Sequence, residues 1–181
     1  MPPIILLSIL GVPVLLGIFW WISSGNRFRR LAVKIDESES GVDAALSKRY
    51  NTLTKMLDVC KMYAGHERET LADMIHLRKG MSMVERGAAN GQMDALAERI
   101  NVIAEAYPEL RASEQFRELQ LGIRDVEAHL QASRRFYNSN ISAFNQLLVS
   151  FPDSVVGSHL NMVPKEFFEA EKHKRQDVRI R

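Results

Sequence analysis

The sequence lacks the residues from which disulfide frameworks and most zinc sites are built. Cys60 is its single cysteine, which excludes an internal disulfide and any cysteine-rich metal site. Its histidines also lack the spacing of metal ligands, such as two residues four apart on one helix; they are His66, His76, His129, His159 and His173. We therefore expect no metal ion and no other cofactor.

Catalytic patterns are missing as well. The sequence contains no nucleophile beside a base, no glycine-rich loop for a phosphate and no hydrolase signature. Paired carboxylates such as Glu67 and Glu69 are two residues apart and would point away from each other on a helix. The net charge of +2 is too small to indicate a nucleic-acid partner. We expect a protein that is not an enzyme and does not bind nucleic acid.

What the sequence does contain is an apolar run of 19 residues, from Ile4 to Ile22, with no charge and one polar side chain, Ser8. As a helix with a rise of about 1.5 Å per residue it would be about 28 Å long, close to the thickness of a bilayer's hydrocarbon core. Trp20 and Trp21 stand at its end, where aromatic rings prefer the membrane interface. The run predicts a transmembrane anchor in residues 1–25.

A cleaved signal peptide is the alternative interpretation of this run, because Ser23, Ser24 and Gly25 form a small-residue patch where cleavage could occur. Two features favour a retained anchor instead. No lysine or arginine precedes the run, and the run is long for the apolar core of a signal peptide.

Four cationic residues follow the apolar run: Arg27, Arg29, Arg30 and Lys34. Positive charge after a membrane span indicates the cytoplasmic side, so we expect the soluble part of the protein there. We also expect Trp20, Trp21 and the three arginines to meet lipid headgroups, at about 1 kcal/mol per cationic residue near an anionic surface. A simple stop-transfer role is compatible with the same charges.

The remaining sequence predicts an all-α fold, an up-down bundle of about four helices followed by a short C-terminal helix. No strand-like alternation appears. The pattern predicts a bundle domain over 26–170 and a charged tail without fixed structure over 171–181. It predicts long helices at 26–64, with a disturbance around Ser38 to Gly41, at 66–89 and at 116–151, and a shorter helix at 93–107. Between them it predicts a membrane-exit linker at Ser24 to Asn26, a turn at Gly87 to Gly91 and a connection over 109–112, with Ser113 as the N-cap of the long helix. A loop over 153–163 and a short helix from Pro164 are expected after it.

The longest helical pattern runs from Phe116 to Phe151. Residues at alternating steps of three and four along it form a seam, the stripe by which a helix packs lengthwise against other helices. The residues of this seam are apolar or aromatic except Ser133 and Asn140. The helix from Asn26 carries a second seam with Arg49 on it. A buried guanidinium is costly unless it is paired. We expect its partners among three residues of the long helix, Glu127, Asn138 and Asn140.

Polar residues cluster in the second half of the long helix: Arg134, Arg135, Tyr137, Asn138 and Asn145. Because Arg134, Asn138 and Asn145 are spaced by four and seven, they share one helix face and could line an inter-helix groove. Two interpretations stay open. The cluster is either a network that fixes helix packing or a site that binds a ligand or partner.

Several short motifs occur in a characteristic order. In the C-terminal half they are Ser133 to Asn138, Phe144-Asn145, Phe151-Pro152 and Phe167-Phe168, and further upstream they are Ala106 to Leu110, Leu46 to Tyr50 and Tyr63 to Glu67. In these motifs the chain resembles the LemA family of bacterial membrane-anchored helical proteins. It departs from the family at Glu39, where a tryptophan is usual, and at Leu53 to Lys55, where Ile-Pro-Asn is usual.

The resemblance implies a single-pass, all-helical protein of a bacterial inner membrane, with no established enzymatic activity. Some relatives look lipid-anchored, which makes an exterior domain the alternative to the cytoplasmic orientation. We expect a non-enzymatic scaffold or adaptor that is anchored in the lipid bilayer and supports envelope homeostasis through a membrane or envelope protein partner. The alternative function is a binding module for a small ligand, lipid or peptide in a polar groove around Arg49, Arg134, Asn138 and Asn145. The sequence indicates no oligomeric state.

Overall fold

The structure is a computed structural model that describes residues 3–64, 77 and 80–168, with side chains from residue 11 onward. Within these ranges the chain contains helices and no strand, which confirms the all-α class. The helices are α1 (Pro3–Ala64), α2 (Met83–Ala106), α3 (Pro108–Ala112), α4 (Glu114–Val149) and α5 (Asp153–His159). The up-down order of a four-helix bundle stays a prediction, as do the domain boundaries. The predicted tail at 171–181 lies outside the described residues.

The described residues pack into two compact units. The first unit contains the described residues of 1–37 and 139–166, and the second contains those of 38–138 and 167–181. Each unit has its own buried core. The largest fully buried side chains of the first unit are Phe28, Ile35, Ile141 and Phe144, and those of the second include Leu46, Leu53, Leu57, Met93, Ile100, Leu110 and Phe116.

Helix α1 is continuous over 62 residues. The predicted linker at Ser24 to Asn26 and the predicted disturbance at Ser38 to Gly41 are therefore wrong, since both stretches are helical. Ser24 and Ser38 are buried, so packing overrides their weak helix preference. Among the described residues no helix is long and apolar enough to cross a membrane, and the predicted transmembrane helix is not confirmed.

Helix α2 differs most from the expectation. Its start is fixed by a capping box in which Ser82 and Glu85 exchange hydrogen bonds with each other's backbone N–H. The predicted helix start at His66 lies outside the described residues. The turn predicted at Gly87 to Gly91 is wrong, because α2 runs through it without a break. Arg86, Ala89, Met93 and Leu96 are buried along one stripe that crosses the expected turn.

Helices α3 and α4 meet at Ser113. Pro108 starts α3 at the first helical position, where its missing N–H costs nothing, so the predicted irregular connection over 109–112 is a short helix. The backbone N–H of Phe116 donates to Ser113 Oγ at 3.3 Å, which confirms Ser113 as the N-cap of α4.

The chain after α4 also corrects the sequence prediction. Residues 153–159 form α5 where a loop was expected, and the described residues after Pro164 are not helical. In the first unit Gly157 packs α5 tightly against α1, because a Cβ there would lie 3.1 Å from the Phe28 ring. The Phe28 ring in turn packs edge-to-face on Phe144 of α4, with centroids 5.7 Å apart.

Candidate functional site

Arg49 joins three helices of the second unit. It lies on α1 and is 4% exposed. Its Nη1 donates to Asn90 Oδ1 at 2.8 Å and to the Asn90 carbonyl oxygen at 3.2 Å, both on α2. Its Nη2 donates to Asp94 Oδ1 at 2.6 Å and to Glu127 Oε1 of α4 at 3.1 Å. The expected pairing with Glu127 is confirmed. Asn138 and Asn140 form hydrogen bonds with the backbone of other residues.

Asn90 and Asp94 were missed because the sequence places a turn where α2 continues. The predicted turn takes Asn90 out of any helix, whereas in the structure both residues face α1 from the same side of α2. The network contains one arginine and two partly exposed carboxylates. Its buried cation is therefore compensated within the fold, and its geometry serves to hold three helices together.

A second buried arginine, Arg86 of α2, repeats this arrangement and was missed altogether. Its Nε and Nη2 donate to the two carboxylate oxygens of Asp43 at 2.5 and 2.8 Å, and its Nη1 pairs with Glu39 at 2.9 Å. Burial lowers the pKa of Arg86, but the two carboxylates raise it more, so the net shift is upward. Two signals could have found it: Arg86 lies on the stripe of Met83 and Met93, and Glu39 and Asp43 are four apart.

The predicted polar face of α4 is occupied by the chain's own residues. In the second unit Asn138 Nδ2 donates to the Phe168 carbonyl oxygen at 3.0 Å, and the Phe168 N–H donates to Asn138 Oδ1 at 2.8 Å. The Arg134 guanidinium lies 4.6 Å from the centre of the Phe168 ring. Burial and the charge of Arg49 lower the pKa of Arg134, although Asp94 raises it. Tyr137 is buried, and Arg135 is exposed.

The first unit uses its asparagines in a similar way. Asn145 Nδ2 donates to the Lys165 carbonyl oxygen, and the Lys165 N–H donates to Asn145 Oδ1, both at 2.9 Å. Asn140, which is buried, donates to the Lys34 carbonyl oxygen of α1 at 3.3 Å. Within the second unit Arg134 and Asn138 meet at Phe168, whereas Arg49 pairs with residues of α2 and α4. All four candidate residues thus contact the chain's own residues, and the polar groove stays a prediction.

The predicted membrane-interface residues all lie on α1 of the first unit. The Trp20 and Trp21 rings meet edge-to-face, and Trp21 also contacts His159 of α5, with centroids 5.2 Å apart. Arg27 pairs with Asp153 at 3.0 Å, and Ser24 Oγ donates to the same carboxylate at 2.6 Å. The other two residues, Arg29 and Arg30, are exposed.

The apolar turns of α1 before these residues are open to solvent. Every residue from Val12 to Phe19 is exposed. Because eight consecutive residues make more than two turns of about 3.6 residues each, every side of the helix is exposed over this stretch.

Within the described part of the chain, no group of His, Cys, Asp and Glu residues is arranged to hold a metal ion.

The chain is similar to known proteins. The model of a family described as the LemA family matches residues 38–181. A protein named Protein LemA, from Metamycoplasma hominis, is 28% identical to this chain over 170 residues, which cover 90% of this chain and 78% of the relative.

Proposed function

This chain belongs to the LemA family, and on that premise we propose that it is a membrane-anchored, non-enzymatic scaffold or adaptor of the bacterial inner membrane. The proposal has three parts: an anchor in the lipid bilayer, a structural use of the buried charges, and a membrane or envelope protein as the partner. Each part is supported by a separate set of residues.

The exposed apolar stretch of α1 from Val12 to Phe19 is the main support for a membrane anchor. A helix that is apolar on all sides is stable only inside a protein core or inside a bilayer. The described residues provide no cover for this stretch. In the sequence the apolar run already begins at Ile4, before the first described side chain. A bilayer would cover the whole run.

The residues after the run suit the membrane surface. Trp20 and Trp21 follow the exposed apolar turns directly, and Arg27, Arg29 and Arg30 come within three further turns of α1. This order, apolar then aromatic then cationic, is typical of a helix that leaves a bilayer. The cationic residues favour a cytoplasmic position for the two units, and an exterior position is the alternative.

The buried ionisable groups support a structural role. The charged residues that the described part of the chain buries are Arg49, Arg86 and Asp153. Each is paired, and each pairing joins one helix to another. A catalytic group has to be available to a substrate, whereas the charges of these three residues are compensated by contacts inside the fold.

Exposed apolar side chains support a protein partner. Val149 at the end of α4 is 81% exposed, and Phe151 is 85% exposed. Both lie in the first unit, the one that carries the anchor. Large exposed apolar residues close together are typical of surfaces that bind other proteins. We propose that a membrane or envelope protein covers them.

The binding-module alternative has one observation in its favour. Asn138 holds a peptide backbone with both of its amide atoms, and a groove can recognise an extended peptide of any sequence in this way. The backbone it holds is that of Phe168. Ligand binding that is lost in Arg134→Ala while the fold is kept would support this alternative, and unfolding of that variant would contradict it.

A substitution in the apolar turns tests the anchor. In Leu15→Asp/Phe19→Asp two charges enter the stretch. A charge costs about 2.5–3.5 kcal/mol at the centre of a membrane span and less close to the interface, where Phe19 lies. We expect this variant to move from the membrane fraction to the soluble fraction of cells. Leu121→Asp is the control, because Leu121 is an exposed apolar residue of α4 outside the run. Equal membrane retention of both variants would refute the anchor.

In-cell cross-linking of the full-length protein tests the partner. We expect one or a few membrane proteins to be captured reproducibly, and fewer of them with Val149→Ser/Phe151→Ser. The control is Val102→Ser, which removes an exposed valine of α2 in the second unit. Capture that is unchanged by the first variant would remove these two residues from the proposed partner surface.

A further inference from the structure

The first unit contains an open groove of about 590 Å³ just beyond the C-terminal end of the proposed anchor. Its polar lining consists of Arg27, Arg30 and Lys34 on α1, Gln146 at the C-terminal end of α4, and Ser150 and Asp153 just beyond α4. The three cations follow one another at steps of three and four on α1, so they share one face of that helix. We call this feature the basic groove.

The one carboxylate of the basic groove is already paired. Asp153 accepts a hydrogen bond from Ser24 Oγ at 2.6 Å and forms an ion pair with Arg27 at 3.0 Å. Its side chain is only 11% exposed, so it has little surface left for another cation.

The other two cations of the basic groove have no such partner. Within the described part of the chain, Arg30 and Lys34 form no ion pair, and both are exposed. With Arg27 and Asp153 cancelling each other, the lining carries two positive charges. An anion is the ligand that would compensate them.

The neutral groups of the lining narrow the choice of anion. Ser150 and Gln146 are exposed and place a hydroxyl and an amide beside the two free cations. The rest of the lining is apolar and includes Leu31 and Leu147. Two cations with neutral hydrogen-bond donors suit the tetrahedral oxygens of a phosphate group. Apolar residues beside them suit the glycerol and upper acyl carbons of a lipid.

We propose that the basic groove binds the phosphate group of an anionic phospholipid, with Arg30 and Lys34 compensating its charge. The position along α1 favours a lipid as the source. Arg30 is eight residues beyond Ile22, or about 12 Å along the helix, and Lys34 is about one turn further, at about 18 Å. Their long side chains can extend back towards a headgroup layer about 5–8 Å thick. The choice of a lipid over a soluble phosphate rests on the proposed membrane anchor. Binding of a phosphate group rests only on the lining of the groove and is independent of the anchor.

The test uses the purified full-length protein in uncharged maltoside micelles. Binding of short-chain phosphatidylglycerol is measured by phosphorus NMR line broadening, with short-chain phosphatidylcholine, glycerol phosphate and inorganic phosphate as comparison ligands. We expect phosphatidylglycerol to bind, and Arg30→Gln to weaken its binding about tenfold, as expected for the loss of one charged hydrogen-bond partner.

Arg29→Gln is the matched control, because it removes the same charge from the next residue of α1, and Arg29 does not line the basic groove. We expect it to change the affinity less than about twofold. If Arg29→Gln and Arg30→Gln weaken the binding of phosphatidylglycerol equally, the groove is not a specific site. The lipid would then be attracted only by the overall positive charge of this part of α1. Absence of phosphatidylglycerol binding would overturn the proposed site as well.

The comparison ligands identify the source of the phosphate. If glycerol phosphate or inorganic phosphate binds as tightly as phosphatidylglycerol, and Arg30→Gln lowers its affinity equally, a lipid is ruled out as the specific ligand. The groove would then be a site for a soluble phosphate. Membrane fractionation of Arg30→Gln separates this result from the anchor, since the anchored protein stays in the membrane whether or not the groove binds.

Discussion

The side-chain amide of Asn138 and the backbone of Phe168 form a closed pair of hydrogen bonds, with Nδ2 donating at 3.0 Å and Oδ1 accepting at 2.8 Å. An asparagine amide has the same donor and acceptor groups as a peptide bond, so it can pair with a backbone as a neighbouring β-strand would. The residue that sequence analysis marked as a candidate for ligand binding thus holds a segment of its own chain.

Asn138→Ala should release the backbone of Phe168. We expect amide hydrogen exchange at Phe168 to become faster by at least about tenfold, because the N–H loses its acceptor while the helices of the second unit stay folded. Ser139→Ala changes the next residue of α4, which is exposed, and should leave the exchange unchanged. Equal exchange in both variants would mean that packing of the Phe168 ring alone holds the segment.

Arg49→Ala should destabilise the second unit by about 2–3 kcal/mol. This is less than the roughly 3–5 kcal/mol for breaking a fully buried pair, because Asp94 and Glu127 are partly exposed and can regain water. Denaturant unfolding of this variant measures the loss. Lys48→Ala, which alters the adjacent exposed residue, should stay within about 0.5 kcal/mol of the parent. Similar stabilities of the two variants would contradict the role given to the Arg49 network.

Gly157→Ala should destabilise the first unit by about 1–3 kcal/mol, since the added methyl group would lie 2.9 Å from Leu148 and 3.1 Å from the Phe28 ring. Gly122→Ala is the matched substitution on α4, where a Cβ meets nothing within 4 Å. It should stabilise the protein by about 0.5–1 kcal/mol because alanine is the better helix former. Thermal unfolding of the two variants should move the transition in opposite directions.

Cys60 should resist alkylation in the folded protein. Burial raises the pKa of its thiol from 9.0 to about 11, which lowers the reactive thiolate fraction at pH 8 by about a hundredfold. We expect slow labelling by iodoacetamide in buffer and fast labelling in denaturant. Since the unfolded chain ionises first, stability contributed by the neutral thiol should be lost as the pH rises from about 9 through about 11. Equal labelling rates in both conditions would contradict the burial of Cys60.

The seam of α4 shows what the sequence pattern could predict. Phe116, Leu130 and Phe144 are buried as their spacing indicates, whereas Phe151 lies beyond the end of the helix and is exposed. Arg49 could be placed in the core by the same rule, and one of its three expected partners, Glu127, is confirmed. Amphipathic periodicity is a strong signal over many turns, because one helix face has to be buried along its whole length.

The errors have a different physical origin. Gly87, Asn90 and Gly91 favour a turn locally, yet the burial of Arg86 and Met93 on one stripe keeps α2 helical through them. Helix α5 is seven residues long, too short for a periodic pattern to be recognised. The partners of Asn138 and Asn145 are backbone groups 30 and 20 residues away, and no side-chain type marks a backbone partner in the sequence.

The proposed function depends on an anchor at the start of α1 that stays in the membrane and remains part of the mature protein. Alkaline carbonate extraction of membranes, followed by intact mass measurement of the protein in the pellet, tests for this anchor. We expect the protein to stay in the pellet and its mass to include the residues before Gly25. Release into the carbonate supernatant, or a mass that lacks those residues, would contradict it.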